Sequence, residues 1–252
     1  MTSDLAPARW AFVKIIGFVV HLNRATARRP VAERLVADCA VPARILDAVD
    51  GRGLTPQDIA ALVAPTPHDP PLPFAMGPGE YGCFLSHRAA WSALLASDAE
   101  AALILEDDMV LGPEFPEALR LATRHVAALG YVQFQTRAIV GPEVDREGAC
   151  VLYRPVVTPL RTSGQLVHRD AANRLLALSE TIDRPVDAFL QLHWLTGIRA
   201  GSIAPSGLGD VAALSGGSTL KTAKSPWQKL VRQVRRTRYR WAINRLSKEA
   251  AR

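Results

Sequence analysis

The sequence predicts an α/β protein whose central sheet is mostly parallel. At 252 residues the chain is long enough for one domain of roughly 200 residues with a full hydrophobic core. Apolar runs of strand length alternate with segments of helical periodicity in the first half of the chain. A further apolar run, residues 101–105, ends in three adjacent carboxylates. Alternating strands and helices imply parallel strands joined by crossovers, and ligands of such sheets lie at the carboxyl ends of the strands.

The first half of the chain contains two predicted strand and helix units. Residues 15–22 form a buried strand, and Pro30 opens a helix that runs to about residue 39. Residues 44–49 form a second strand, which ends in the turn signal Asp50-Gly51. Thr55 followed by Pro56 then indicates another helix start.

An irregular segment follows these two units. Residues 64–79 contain six prolines, which favour a surface loop. From Glu80 a helix with an apolar face leads into the acidic strand. The remaining predicted elements are helices at 114–129, 170–179 and 186–195, and strands at 131–135 and 197–204.

Charge divides the chain into a body and a tail. Residues 221–252 hold 11 basic residues and one acidic residue, whereas residues 1–220 hold 19 basic and 23 acidic residues. We therefore predict a folded domain, large enough to be an enzyme, at 1–220 and a basic tail at 221–252.

The tail is predicted to be an amphipathic helix. Its apolar residues share one face and are surrounded by lysine and arginine; they are Trp227, Leu230, Val231, Val234 and Trp241. This pattern is typical of a helix that lies on an anionic membrane. A nucleic-acid contact and a disordered basic tail are the alternatives, but no nucleic-acid-binding motif occurs elsewhere in the chain.

Cysteine usage indicates a reducing compartment. Three cysteines, Cys39, Cys83 and Cys150, are odd in number and far apart, which argues against a disulfide framework or a cysteine-based zinc site. The apolar residues 10–22 are interrupted by Lys14 and are too few to span a bilayer. We expect a cytoplasmic protein that is peripheral at the inner face of the cytoplasmic membrane.

The carboxylates Glu106, Asp107 and Asp108 are the strongest chemical signal. Three adjacent anions repel one another, and a hard divalent cation, which prefers oxygen ligands, relieves that repulsion. A solvated acidic loop after a strand is the alternative. The other motifs of the sequence decide between a metal site and a solvated acidic loop.

Six segments together resemble glycosyltransferase family 25, the lipooligosaccharide and collagen galactosyltransferase group. They are VVHLNRATARR (19–29), AVDG (48–51), GEYGCFLSHRAAW (79–91), ALILEDDMVL (102–111), TSGQLVHRDAANRLL (162–176) and RPVDAFL (184–190). The resemblance implies a GT-A type nucleotide-sugar-binding fold and a donor that is usually UDP-galactose. It also implies transfer with inversion to a glycan or glycolipid acceptor, such as a lipopolysaccharide core.

The resemblance assigns roles to the acids. Asp108 is expected to bind Mn²⁺ or Mg²⁺ directly, and Glu106 or Asp107 to contact the ribose, the metal or a metal-bound water. Asp187 is the candidate base that takes the proton from the acceptor hydroxyl. A helix N-terminal cap is the alternative role for Asp187.

Other residues are candidates for binding the donor. Two of the arginines of the first matching segment, Arg24 and Arg29, suit a diphosphate, and Asn23, Asp50 and His87 are further candidates for donor binding. His87 is expected to orient the substrate or to be structural. His193 is a candidate further metal ligand, with packing beside Trp194 as the alternative.

Two alternatives to a glycosyltransferase remain at this point. Carboxylates at a strand end also serve metal-dependent phosphohydrolases and nucleotidyltransferases. A relative that kept the fold and lost catalysis, acting as a surface-binding protein, is the other alternative.

Overall fold

The computed structural model describes residues 13–211 and 226–251, and of residues 226–232 it describes the backbone alone. The predicted membrane-facing side chains of Trp227, Leu230 and Val231 therefore lie outside the described residues. The prediction of an α/β fold is confirmed.

The described helices and strands follow the predicted order with additions. The strands are β1 (Ile15–His21), β2 (Ala43–Asp47), β3 (Ala101–Glu106), β4 (Met109–Leu111), β5 (Tyr131–Phe134), β6 (Glu143–Glu147), β7 (Cys150–Tyr153), β8 (Gly164–His168), β9 (Gly201–Ala204) and β10 (Leu208–Asp210). The α-helices are α1 (Arg29–Asp38), α2 (Pro56–Leu62), α3 (Pro78–Leu95), α4 (Phe115–Leu129), α5 (Arg169–Leu178), α6 (Val186–Phe189), α7 (His193–Thr196) and α8 (Pro226–Ala250).

Eight strands form the central sheet, in the order β2, β1, β3, β8, β5, β9, β7, β6. The pairings give six of the eight strands the same direction, and β8 and β7 run against them. The predicted mostly parallel sheet is confirmed in this sense. The strands β6, β7 and β8 were absent from the sequence prediction, and β4 pairs with β10 in a separate two-stranded ribbon.

Strand β3 is buried on both faces of the sheet, which explains its continuous apolar sequence. Ala102 and Ile104 pack into the cluster on one face of the sheet, whereas Leu103 and Leu105 pack into the cluster on the other. A strand buried on both faces reads as a continuous apolar run instead of an alternating one. Its carboxylates therefore begin where the strand reaches the sheet edge.

One predicted helix was wrong. Residues 186–195 form two short helical turns, α6 and α7, instead of a single helix. The backbone of Leu192, at φ −80° and ψ 53°, departs from helical geometry between them. The break redirects the chain, so that α7 packs on the tail helix α8.

The tail helix α8 packs on the domain through one face. Ile243 and Ser247 are fully buried there, and the Arg184 guanidinium donates to the Tyr239 hydroxyl at 3.3 Å. Val234 and Trp241 point the opposite way and are 51% and 65% exposed. Among the described residues, no helix is both long enough and apolar enough to cross a membrane.

Candidate functional site

A pocket of about 540 Å³ lies at the carboxyl ends of β1, β2 and β3. Val20 of β1 is in register with Glu106 of β3, so that the residues after both strands meet at one edge of the sheet. The pocket contains six of the predicted site residues, Arg24, Asp50, His87, Glu106, Asp107 and Asp108, and also Arg28, Arg52, Cys83 and Ser86.

Asp107 is held by groups of the protein itself. Its Oδ2 accepts from His21 Nδ1 at 2.6 Å and from the backbone N–H of Leu22 at 3.4 Å. Its Oδ1 pairs with Arg28 at 2.8 Å. Both carboxylate oxygens are therefore engaged, and the side chain is 6% exposed. This arrangement favours a structural role in tying the end of β1 to the end of β3, and it does not support the prediction that Asp107 contacts the donor.

Asp108 is in the opposite situation. Its Oδ1 is buried and has no hydrogen-bond partner among the residues that the structure describes. Burial, followed by repulsion from Glu106, raises the pKa of Asp108 above its usual value, although Arg28 opposes the shift. A divalent cation would satisfy this oxygen and reverse the shift, so the residues fit the metal expected from the sequence.

Glu106 is paired with His87 on α3. The imidazole Nε2 lies 3.6 Å from Glu106 Oε1, and the Thr162 hydroxyl donates to the same oxygen at 3.4 Å. Burial is the largest single effect on Glu106 and opposes its ionisation, but His87, the Thr162 hydroxyl and the charge of Arg161 together lower its pKa. Burial likewise opposes charge on His87, but its hydrogen bonds with Cys83 and Glu106 raise its pKa to about 9.

Arg24 and Asp50 form an ion pair at the mouth of the pocket. Arg24 Nε donates to Asp50 Oδ2 at 2.6 Å, and the backbone N–H of Arg52 donates to Asp50 Oδ1 at 3.0 Å. The hydrogen bond from Arg52 is the main reason that the pKa of Asp50 is lowered. Asp50 thereby caps the short turn Gly51–Gly53.

That turn is pressed against the start of α3. A Cβ on Gly51 would lie 1.7 Å from the carbonyl oxygen of Pro78, and a Cβ on Gly82 would lie 2.6 Å from the Gly51 nitrogen. Only glycine permits this approach. The contact fixes the distance between the Asp50 loop and the helix that carries His87.

Two predicted donor ligands lie outside the pocket. Asn23 is exposed and does not line it. Arg29 is exposed at the start of α1, where its Nε donates to Glu33 at 2.8 Å. Arg28, one position earlier, is the arginine of this segment that reaches the acids. The structure thus favours Arg28 over Arg29.

His193 lies away from the acids. It is buried on α7, its ring meets Trp194 edge-on at 5.7 Å, and it does not line the acidic pocket. Burial and then the charge of Arg199 lower the pKa of His193. The prediction that His193 binds a metal beside Asp108 is not supported, because the break before α7 turns this residue toward the tail helix.

Asp187 lies on α6 and lines a second pocket, of about 670 Å³. Its Oδ2 accepts from the backbone N–H of Arg161 at 3.2 Å, and its Oδ1 accepts from the N–H of Ala188 at 2.8 Å. The walls contributed by the tail helix are Arg236, Tyr239, Arg240 and Ile243. Asp187 is half-buried, so part of its carboxylate is open to this pocket.

Arg161 lies beside Asp187 and was missed by the sequence analysis. Its backbone has φ +86°, which is rare for a residue with a side chain and is often found at functional sites. Its guanidinium forms a two-point ion pair with Asp210, at 2.7 and 3.0 Å. Its pKa is raised by Asp210 first, and also by the charges of Asp108 and Glu106. Its backbone meanwhile holds Asp187.

Comparison with known proteins decides the family. The model of "Glycosyltransferase family 25 (LPS biosynthesis protein)" matches residues 15–190, which include the acids, the α3 motif and Asp187. The chain belongs to glycosyltransferase family 25. The resemblance inferred from the six sequence segments is thus confirmed.

Curated members of family 25 share this core at moderate identity. A "Glycosyltransferase 25 family member" of Drosophila melanogaster is 32% identical over 184 residues, 69% of this chain and 30% of that protein. The human "Procollagen galactosyltransferase 2" is 31% identical over 116 residues, 45% of this chain and 18% of that protein. The rat "Probable inactive glycosyltransferase 25 family member 3" is 31% identical over 116 residues, 45% of this chain and 20% of that protein. The chain therefore matches less than a third of the length of these relatives.

The family 25 segments bring more residues to the site than the sequence analysis named. His21 and Arg28 lie in the first segment, Cys83 in the third and Thr162 in the fifth. Because these four residues lie in the matching segments, the sequence contained a signal that could have identified them as site residues. Arg161 lies one residue outside a segment, so nothing in the sequence singled it out.

Proposed function

We propose that this chain is a metal-dependent glycosyltransferase that uses a nucleotide-sugar donor. The observation that carries the proposal is the buried Asp108 oxygen, which has no hydrogen-bond partner within the described ranges 13–211 and 226–251 and lies next to the ionised Glu106 in a pocket at the carboxyl end of the sheet. An unpartnered anionic oxygen in such a place is costly unless a cation or a donor group occupies the pocket.

Asp108 and Glu106 would hold the cation, Mn²⁺ or Mg²⁺. Bound there, it would stabilise the charge of the departing nucleoside diphosphate as a Lewis acid. The guanidinium groups of Arg24, Arg28 and Arg52 border the same pocket and suit the phosphates. A UDP-sugar, with UDP-galactose as the first candidate, is the donor that the family suggests.

Asp187 is the proposed base. The backbone N–H of Arg161 fixes its carboxylate, which leaves the remaining lone pairs to accept a proton from an acceptor hydroxyl. Attack from the second pocket, on the side opposite the leaving diphosphate, would invert the anomeric centre. Arg161 would position Asp187 relative to the acids, because one residue contacts or faces both groups.

The second pocket is the proposed acceptor site. Tyr239 offers a ring to a sugar, and Arg236 and Arg240 have no ion-pair partner among the described side chains. Two unpaired guanidiniums suit an anionic glycan such as a lipopolysaccharide core. A lipid-linked acceptor would also explain why the tail helix forms part of the wall.

We further propose that α8 docks the enzyme on the cytoplasmic face of an anionic membrane. Trp241 and Val234 are exposed on the face opposite the docked residues, and exposed arginines flank them. Each basic residue near such a surface adds about 1 kcal/mol of attraction. Co-sedimentation with phosphatidylglycerol vesicles should fall in Trp241→Ser and should be unaffected by Val140→Ser, which changes an even more exposed apolar residue outside the tail. Equal binding of both variants would contradict this role.

Release of nucleoside diphosphate from a panel of UDP-, GDP- and CMP-sugars tests the catalytic proposal. We expect release from one UDP-sugar that requires Mn²⁺ or Mg²⁺ and is lost in Asp108→Asn. The matched control Asp170→Asn changes a fully exposed acid on α5 and should behave as the native chain. Release that survives both chelation and Asp108→Asn would refute the metal-dependent mechanism.

The same panel separates the competing functions. Metal-dependent release of pyrophosphate from a nucleoside triphosphate would identify a nucleotidyltransferase, and phosphate release would identify a phosphohydrolase. A chain that binds no nucleotide sugar with or without metal would be an inactive member, as the rat relative is described.

A further inference from the structure

We propose that the pocket contains a second, softer metal site, in which Cys83, His87 and Glu106 bind Zn²⁺ reversibly. This site shares Glu106 with the proposed hard-cation site at Asp108 but differs from it in its other ligands, Cys83 and His87, and in the metal that it selects. Its existence does not depend on the proposed function. The structure, and not the cysteine spacing, brings these ligands together.

The geometry of the cluster suits a three-ligand site. One ligand atom from each of Cys83, His87 and Glu106 lies within 4.8 Å of the others. Cys83 and His87 are four positions apart on α3, so they share one face of the helix. Glu106 reaches them from the end of β3, with its Oε1 3.6 Å from His87 Nε2.

A small adjustment closes the site around an ion. Zinc bonds of about 2.0–2.3 Å in a tetrahedral arrangement place the ligand atoms roughly 3.5 Å apart. The ligand atoms must therefore move together by about 1 Å, which small torsional adjustments of the Cys83 and Glu106 side chains within their present rotamers can supply. The Cys83 side chain is exposed, so it is free to move and gives the ion a path of entry.

The ligand set selects zinc over the cations expected at Asp108. Thiolate and imidazole ligands favour Zn²⁺, whereas Mg²⁺ and Mn²⁺ prefer carboxylates and water. Three protein ligands leave the fourth position to water or to an oxygen of a ligand in the pocket.

A buried neighbour orients the imidazole. The carboxamide of Gln165 lies 2.9 Å from His87 Nδ1, and His87 is 1% exposed. When Nε2 binds zinc the ring proton is on Nδ1, so the carboxamide must reverse to present its oxygen to that proton, and its amino group gives up its present bond to the Thr162 carbonyl. The reversed amino group then donates to the Tyr131 hydroxyl, which at present donates to the Gln165 oxygen. An acceptor on the second ring nitrogen is the usual arrangement behind a histidine that binds metal, and the reversed carboxamide supplies one.

The other two cysteines provide internal controls. Cys39 and Cys150 are buried, and burial raises the pKa of both thiols. A raised thiol pKa disfavours the thiolate that binds metal. Neither residue belongs to the cluster.

Zinc at this site should compete with donor binding. The ion would take Glu106 from the hard-cation site and would occupy the wall that also contains Asp108 and Arg28. The chain would then be inhibited by zinc and reactivated by a chelator, and the inhibition would require Cys83. This consequence rests on the proposed function, whereas zinc binding does not.

Cobalt substitution tests the site in the full, untagged chain. We expect one equivalent of Co²⁺ to give a near-ultraviolet thiolate-to-cobalt charge-transfer band that Zn²⁺ displaces. Cys83→Ser should lose the band, and His87→Gln should weaken cobalt binding at least tenfold. Cys150→Ala should keep both the band and the affinity, with its folding checked by circular dichroism.

The outcomes separate the site from the enzyme activity. Absence of the band in the folded native chain, or its persistence in Cys83→Ser, would overturn the proposal. A band that depends on Cys83 in a chain without any nucleotide-sugar turnover would support the zinc site and count against the proposed function. Zinc inhibition equal in the native chain and in Cys83→Ser would refute the proposed competition.

Discussion

The neighbouring residues Asp107 and Asp108 should respond to the same substitution in opposite ways. Asp107 is buried and accepts from His21, Leu22 and Arg28, whereas Asp108 has a buried oxygen without a partner and a raised pKa. Replacement of either by asparagine removes one negative charge at nearly constant shape. Only at Asp107 does it also weaken the acceptor of the buried His21 imidazole and remove the counter-charge of the partly exposed Arg28.

The expected magnitudes follow from these contacts. Removal of one member of a buried ion pair costs about 3–5 kcal/mol. Arg28 is 42% exposed, so water compensates part of its loss. We expect Asp107→Asn to lower the free energy of unfolding by roughly 2–4 kcal/mol, or the melting temperature by roughly 5–15 °C for a domain of this size. Asp108→Asn should leave the unfolding free energy unchanged or raise it, because a desolvated and repelled charge is removed.

Thermal and urea unfolding in EDTA measure these changes directly. Saturating Mn²⁺, at about 100 times its dissociation constant, should then stabilise the native chain by about 2.7 kcal/mol and should not stabilise Asp108→Asn. If Asp108→Asn in EDTA destabilises the chain as much as Asp107→Asn does, the assignment of structural and metal-binding roles is refuted.

Three further predictions concern the framework of the site. Gly82→Ala should lower the free energy of unfolding by about 1–3 kcal/mol, because the added Cβ meets backbone atoms at 2.6 Å. Gly79→Ala places its Cβ in open space and should be neutral or stabilising. Equal stabilities of the two variants in urea denaturation would contradict this prediction. A hydrogen bond from a histidine of α4 is the main cause that lowers the pKa of Asp145 to about 2. Ionised Asp145 therefore stabilises the fold fully above its unfolded pKa of about 3.9, and this stabilisation is lost as the pH falls through about 2. Asp145→Asn should flatten that part of the stability profile, measured by urea unfolding between pH 5 and 2, and an unchanged slope would count against it. Ile243→Asp buries a charge under α8 and should therefore lower the melting temperature and expose the tail helix to limited proteolysis. Trp241→Ser, which changes an exposed residue of the same helix, should do neither. An Ile243→Asp chain that resists the protease would show that packing of α8 on the domain is unimportant for stability.

The location of the site could be predicted from the sequence because it depends on local patterns. The continuous apolar run of β3 indicated a strand buried on both faces, and the acids that follow it had to lie at the sheet edge. The glycine at position 82 and the histidine at 87 were recognisable as parts of a family segment. These features require no knowledge of which distant segments meet.

The roles within the site could not be predicted because they depend on long-range contacts. His21 and Asp107 are 86 positions apart, and spacing alone does not reveal that one carboxylate is paired and the next is not. The antiparallel strand β8 enters the sheet between β3 and β5, and it places Gln165 behind His87. The positive φ of Arg161 has no sequence signature, since an arginine gives no hint of it.

The tail illustrates the same limit. Its helical periodicity was predicted, but the pattern pointed to the face of Val234 and Trp241 as the one that is buried in a membrane. The domain covers a different face, that of Tyr239, Ile243 and Ser247, which includes a polar residue and a tyrosine and which the sequence pattern did not indicate. Hydrophobicity alone does not identify such a face as a docking surface.

Calorimetric titration of UDP into the native chain, with Mn²⁺ and with EDTA, tests the central claim most directly. The proposed site predicts binding that requires Mn²⁺, with one UDP per chain, and that disappears in Asp108→Asn while Asp170→Asn retains it. Binding of UDP with equal affinity in EDTA, or its persistence in Asp108→Asn, would contradict the claim that Asp108 holds the metal that binds the donor.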